Sequence, residues 1–130
     1  PQPPAVYARL LGEKLDRHRA AVWLVNTGWT GGPFGQGHRM PIQATRRLLR
    51  AALSGELDGI EYRTDDVFGF EVPLAVRRVE RSLLDPRSTW RDPEAYDVKA
   101  RELAGMFTAN FEKRFAADAG EAVTAAGPRV

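Results

Sequence analysis

The period of the hydrophobic positions changes several times along the chain, and each change marks an element. Over residues 3–17, Val6, Leu10 and Leu11 recur at three-to-four spacing, with Glu13, Lys14, Asp16 and Arg17 on the other side. That spacing predicts a surface helix with one buried stripe. Ala21-Val22-Trp23-Leu24-Val25 is a short, continuous apolar run, partly β-branched. Such a run predicts a strand covered on both faces, and a helix leading into a buried strand is an α/β signature. Residues 41–54 return to the helical period. Thr45, Leu48, Leu49, Ala52 and Leu53 share one face, and Gln43, Arg46, Arg47 and Arg50 share the other. Pro41 suits the first turn and Gly55 the stop.

From Asp58 to Val76 the period falls to two. Ile60 and Tyr62 alternate with charged residues, as do Phe68, Phe70 and Val72 with Gly69 and Glu71. Two antiparallel strands are expected, joined by a turn at Thr64-Asp65-Asp66. Residues 83–87 read as irregular. Asp92-Pro93-Glu94 then opens a long helix, with Asp92 as N-cap and Pro93 in the first turn. Tyr96, Ala100, Leu103, Phe107 and Phe111 form its expected buried stripe, and residues 116–126 a short last helix ending at Gly127-Pro128.

Between the first two helical patterns, five of the ten residues from Gly28 to Gly37 are glycine, interspersed with Trp29, Pro33 and Phe34. The stretch is too apolar for a flexible linker and too glycine-rich for regular structure. A compact loop that closely approaches something else is the natural reading.

Composition narrows the chemistry. The 130 residues include no cysteine, which excludes a disulfide framework, thiolate catalysis and cysteine-based metal sites. With only His18 and His38, a histidine-rich metal site is excluded too. No apolar run is long enough to span a membrane, and no signal-peptide pattern opens the chain. A soluble, cytoplasmic protein of one segment is expected. Net charge is +2, so the pI near 9.3 reflects arginine content rather than a strong positive field.

The glycine loop invites a phosphate-binding test, which it fails. Gly32 and Gly37 have Walker A separation, but His38 and Arg39 stand where lysine and Ser/Thr belong. The dinucleotide pattern fails as well, because Met40 replaces its last glycine. What remains is a strand, a glycine loop, and then Arg39 and Met40 just before a helix N-terminus, a place where anions are favoured. Arg39 could hold phosphate or stack on a base, Met40 could cover an aromatic ring, and Thr45 could bond a base's edge. The alternatives are structural. Arg39 could pair with a carboxylate, Met40 could be core, and Thr45 could bond its own helix's carbonyls. The stripe Arg46, Arg47 and Arg50 reads as a solvated face, since no aromatic interleaves it. Asp65 and Asp66 read as turn chemistry, and His38 has no partner at metal-ligand spacing.

One longer pattern unites these pieces. Trp23-Leu24-Val25-Asn26-Thr27-Gly28-Trp29-Thr30-Gly31-Gly32, then Gly35-Gln36-Gly37-His38-Arg39-Met40, Ile42, Thr45-Arg46, and Leu84-Asp85-Pro86-Arg87-Ser88-Thr89-Trp90 occur in unbroken order. The chain resembles, over nearly its whole length, the C-terminal part of ATP-dependent phosphoenolpyruvate carboxykinases. Ala125-Ala126-Gly127-Pro128 fits the usual terminus of that family. The resemblance implies an α/β fold, with residues 1–130 as the C-terminal portion of the nucleotide-binding domain, a mixed sheet flanked by helices. It implies a carboxy-lyase of gluconeogenesis that converts oxaloacetate and ATP to phosphoenolpyruvate, ADP and carbon dioxide. The family's P-loop and its manganese or magnesium ligands lie upstream of the matching region, so the segment alone is expected to be inactive. By the same resemblance Arg39, Met40 and Thr45 contact ATP. His38 and Met40 depart from the lysine and isoleucine common in the family. The remainder of the enzyme chain is the implied partner, and no membrane or nucleic acid is. The alternative reading is a non-catalytic module that binds nucleic acid or protein through Arg46, Arg47 and Arg50.

Overall fold

The computed structural model describes residues 2–129. Its elements follow in the order α1 (Pro4–His18), β1 (Trp29–Thr30), β2 (His38–Arg39), α2 (Ile42–Leu53), β3 (Tyr62–Thr64), β4 (Glu71–Pro73), a 3-10 turn (Arg81–Leu84), α3 (Pro86–Thr89), α4 (Pro93–Arg114) and α5 (Glu121–Ala125). The strands form two separate antiparallel pairs, β1 with β2 and β3 with β4. Helices and small sheets thus alternate, as befits a piece of an α/β domain.

Local signals set most boundaries. Asp92 caps α4, its side chain accepting from the N–H groups of Glu94 (2.9 Å) and Ala95 (3.3 Å), with Pro93 in the first turn. Gly55 follows the C-cap of α2 at φ +73°. In the β3–β4 hairpin, Asp65 Oδ1 accepts from the N–H of Val67 and Phe68, which shapes the turn expected there. Phe68 and Phe70, expected in a strand, belong to that turn and its exit. β4 begins only at Glu71, opposite Thr64.

The core is small. Ala51 of α2, Leu57 and Val76 are buried together, and Trp23, Leu48, Ala52, Ile60, Val79 and Leu84 pack against them. Trp23 also stacks on Tyr62 at 6.2 Å between centroids. A second buried pair, Ala100 and Ala104, lies on α4. The accessible surface is 10284 Å². A compact chain of 14.4 kDa exposes about 6,800 Å², so this one exposes about half as much again.

That excess explains where the expected burial fails. Residues 21–27 take no regular structure, and Val22 and Leu24 are 62% and 76% exposed, so the doubly covered strand is not formed. A strand needs ladder partners and covering layers, and no described segment supplies them. The expected stripes are only partly covered: Leu10 and Leu11 of α1 and Leu103 and Phe107 of α4 are exposed, while Val6, Tyr96 and Phe111 are half-buried and Ala100 is buried. On α2 the face turned inward runs through Leu48, Ala51 and Ala52, leaving Leu49 and Leu53 outside.

Candidate functional site

The glycine loop is a closed hairpin. Trp29 pairs with Arg39 and Thr30 with His38, and the Met40 N–H donates to the Gly28 carbonyl at 3.0 Å. Between the strands, the N–H groups of Gln36 and Gly37 both donate to the Pro33 carbonyl. The glycines permit this tight path in two ways. Gly31 and Gly35 adopt φ +81° and +86°, in the left-handed region. Gly37 makes a close approach instead: a Cβ there would lie 2.7 Å from the Thr30 carbonyl oxygen and 2.9 Å from that of Gly32.

The base of the loop is tied to α3 by one hydroxyl. Thr89 Oγ1 donates to the Pro86 carbonyl at 2.7 Å and accepts from the Gly31 N–H at 3.1 Å. Its one proton is used, so the 3.3 Å contact with Thr30 Oγ1 is a bond that Thr30 donates. Thr30 is the one buried polar residue among those described. α3 is itself clamped to α4, because Arg87 Nε and Nη2 donate to the two carboxylate oxygens of Asp97 at 2.8 and 2.9 Å. The hydrogen bond from Arg87 lowers the pKa of Asp97 below the ordinary carboxylate value. Sequence spacing gave no sign of Thr89 as a partner of Thr30. Thr89 lies inside the stretch that carries the family resemblance, yet nothing local links positions 59 residues apart.

Arg39, Met40 and Thr45 fall on one short path from β2 into the first turn of α2. Directly opposed residues of an antiparallel pair share a face, so Arg39 lies beside Trp29, and His38 lies with Thr30 on the other. The imidazole of His38 packs on Gly31, where a Cβ would meet its Cε1 at 2.9 Å. His38 therefore supports the loop from the face away from Arg39. Arg39 is exposed and makes no ion pair among the described residues. Met40 and Thr45 are half-buried. The Thr45 N–H donates to the Pro41 carbonyl at 3.1 Å, while its hydroxyl makes no hydrogen bond to a described residue. The two local satisfactions weighed for Arg39 and Thr45 are thus not used.

Among the described residues no three His, Asp or Glu side chains gather as a metal cage. The described residues do not fit the divalent cation that the resemblance implies. Among the same residues no helix is long and apolar enough to cross a membrane. The basic stripe of α2 is not uniform, since Arg47 pairs with Glu56.

A helix–hairpin–helix scaffold, with an arginine and a hydroxyl at a helix N-terminus that pair with no described residue, is a piece of an α/β domain. Comparison with known proteins gives it a family. Residues 1–82 match the family model described as phosphoenolpyruvate carboxykinase. The chain is 57% identical over 129 residues to a phosphoenolpyruvate carboxykinase (ATP) of Thermus thermophilus, covering 99% of this chain and 24% of that protein. It is 60% identical over 113 residues to one of Allorhizobium ampelinum, covering 87% of this chain and 21% of the relative. A relative from Paracoccus denitrificans is 60% identical over 111 residues. The chain belongs to the phosphoenolpyruvate carboxykinase family, and it spans about a quarter of the length of these relatives. The reading of the arginine stripe as a stand-alone nucleic-acid or protein module finds no support in them.

Proposed function

We propose that this chain is the C-terminal portion of the ATP-binding domain of a phosphoenolpyruvate carboxykinase (ATP), and that it holds the adenine end of the nucleotide. The complete enzyme then converts oxaloacetate and ATP to phosphoenolpyruvate, ADP and carbon dioxide, a carboxy-lyase step of gluconeogenesis in the cytoplasm. Its manganese or magnesium ligands and its reacting groups come from the rest of the enzyme chain. The relatives' names support the activity. The observation that carries the residue assignment is the pair at the start of α2 left unsatisfied among the described residues: an exposed guanidinium at Arg39 with no carboxylate partner there, and a Thr45 hydroxyl with no acceptor there, with Met40 between them.

The chemistry of this piece is positioning. Arg39 stacks on or donates to the nucleotide, Met40 lays an apolar surface against the base, and Thr45 bonds the base's edge. Phosphoryl transfer depends on alignment more than on covalent chemistry by the protein. Fixing the adenine commits the far end of ATP, so that binding energy there helps align the γ-phosphate. The hairpin serves this by locking Arg39 and Met40 through pairing with Trp29 and Gly28. The large exposed surface fits a piece that docks against the remaining three-quarters of its enzyme.

In the complete enzyme, Arg39→Ala should raise the KM for ATP about tenfold, the equivalent of one lost charge-assisted contact. The KM for oxaloacetate should stay within about twofold. ATP should protect the wild-type enzyme against proteolysis, and Thr45→Val should weaken that protection. An unchanged KM for ATP in Arg39→Ala, with unchanged protection in Thr45→Val, removes the assignment.

A further inference from the structure

Four arginines that the nucleotide site does not use converge on one open cavity. Helix α2 supplies Arg47 and Arg50, one turn apart on the same face, and the turn after β4 supplies Arg77 and Arg78. The two elements are held together beneath the arginines. Val76, immediately before the turn, is buried against Ala51 of α2 and Leu57, and the Val79 N–H donates to the Val76 carbonyl at 3.0 Å to close the turn. The cavity measures about 240 Å³ and is lined by the four arginines alone.

From this arrangement we infer that the cavity binds a multivalent phosphate anion of the diphosphate class, gripped by the guanidinium groups of Arg47, Arg50, Arg77 and Arg78. Charge is the first reason. Glu56 pairs with Arg47, while Arg50, Arg77 and Arg78 make no ion pair among the described residues. A local excess of three positive charges results, larger than the +2 of the whole chain. Converging like charges repel, and a monovalent anion offsets only part of that excess. A diphosphate brings several negative charges and a double row of oxygens, the geometry that planar guanidinium forks match in paired hydrogen bonds.

The backbone is the second reason. Arg78 is the third residue of the Val76–Val79 turn and sits at φ +62°. A turn of this kind takes glycine there freely, and any residue with a Cβ only under strain. A guanidinium that merely dangled in water would have no use for that position. Held there, it lines the cavity together with Arg47, Arg50 and Arg77. No aromatic residue lines the cavity, so it offers nothing for stacking bases and suits a compact anion rather than a nucleic-acid strand.

The test titrates inorganic pyrophosphate into the complete enzyme by calorimetry at low and moderate salt. The nucleotide site of the enzyme also takes phosphates, so wild type should show two classes of binding. Arg78→Gly relieves the turn and should fold at least as well as wild type, with an equal or higher Tm. It should nevertheless weaken one class about tenfold or more, the loss expected for one charged hydrogen-bond donor, and Arg78→Lys should recover part of it. Arg39→Ala should leave that class unchanged. An Arg78→Gly isotherm equal to that of wild type overturns the inference, because the arginines are then only solvated. A wild type with no second class also overturns it, and a lower Tm in Arg50→Ala would then show the arginines paired with carboxylates of the enzyme's own chain.

Discussion

A single added methyl group at Gly37 should test whether the hairpin backbone sets the nucleotide residues. The position needs glycine because of its neighbours, since its φ is not in the left-handed region. In Gly37→Ala the new Cβ would stand 2.7 Å from one backbone carbonyl and 2.9 Å from another, where ordinary contact begins near 3.4 Å. Neither oxygen ends a flexible side chain, so relief requires β1 and β2 to part by about 0.7 Å. Overpacking of this sort costs about 1–3 kcal/mol. Losing one rung of so short a ladder adds about 1 kcal/mol, for a total of about 2–4 kcal/mol. Two other glycines calibrate the figure. Gly35→Ala meets nothing within 4 Å but keeps φ +86°, and should cost about 1–2 kcal/mol. Gly105→Ala, inside α4 and in open space, should gain about 0.5–1 kcal/mol from helix propensity. Thermal unfolding of the complete enzyme should rank the three in that order. Steady-state kinetics should show a raised KM for ATP in Gly37→Ala, since Arg39 and Met40 ride on β2. If Gly37→Ala unfolds where Gly105→Ala does, the close approach is wrong. If it is destabilised yet keeps its KM for ATP, the hairpin does not set the nucleotide residues.

Thr89→Val strips the acceptor from two donors, the Gly31 N–H and the Thr30 hydroxyl. It should cost about 1–3 kcal/mol and raise the KM for ATP, with Thr89→Ser restoring both; equal Tm values for the valine and serine variants would refute the tie. The Arg87–Asp97 clamp predicts a pH dependence. Asp97 has a depressed pKa in the fold, so its contribution is complete above the ordinary carboxylate value of 3.8 and is lost as pH falls below it. Asp97→Asn should therefore flatten the fall of Tm between about pH 5 and pH 3, and identical pH profiles for the two proteins would count against the clamp. Leu24→Ala should destabilise the complete enzyme by about 2–3 kcal/mol, although Leu24 is 76% exposed here. A change within about 0.5 kcal/mol, as at an open surface, would mean that nothing in the enzyme covers residues 21–25.

What could be read in the sequence was local. Asp92 caps α4, Gly55 ends α2 and Asp65 shapes its turn because each acts on backbone groups within three residues. What could not be read was long-range. Gly37 against Thr30, Thr89 against Gly31, and Arg77 and Arg78 against Arg47 and Arg50 all join positions that no periodicity links. Period-two alternation misplaced Phe68 and Phe70 for a related reason. Asp65 Oδ1 takes two N–H groups of the segment for a turn, and the aromatic rings then pack against one another and against Phe107 from outside any strand. The expectation that Arg39, Met40 and Thr45 contact nucleotide rests on the family pattern alone, because each residue by itself has an ordinary structural use.

The apolar run at residues 21–25 separates two meanings of a hydrophobic pattern. A pattern records the surroundings a segment was selected for, and conformation follows only when those surroundings are present. Trp23 finds its surroundings here, on Tyr62 and the small core, and is half-buried. Val22 and Leu24, pointing elsewhere, find none. The same holds for Leu10 and Leu11 on α1, and for Leu53 on α2, which is 87% exposed. These residues contribute to the excess surface, and fully burying each is worth about 1.5–3 kcal/mol. The chain spans about a quarter of the length of its relatives and leaves this apolar surface uncovered. The hairpin carrying Arg39 and Met40 directly follows residues 21–25 in the chain. If the proposed nucleotide role holds, covering that run should also fix the base of the hairpin, so Leu24→Ala should raise the KM for ATP as well as lower the Tm, and an unchanged KM would separate the two.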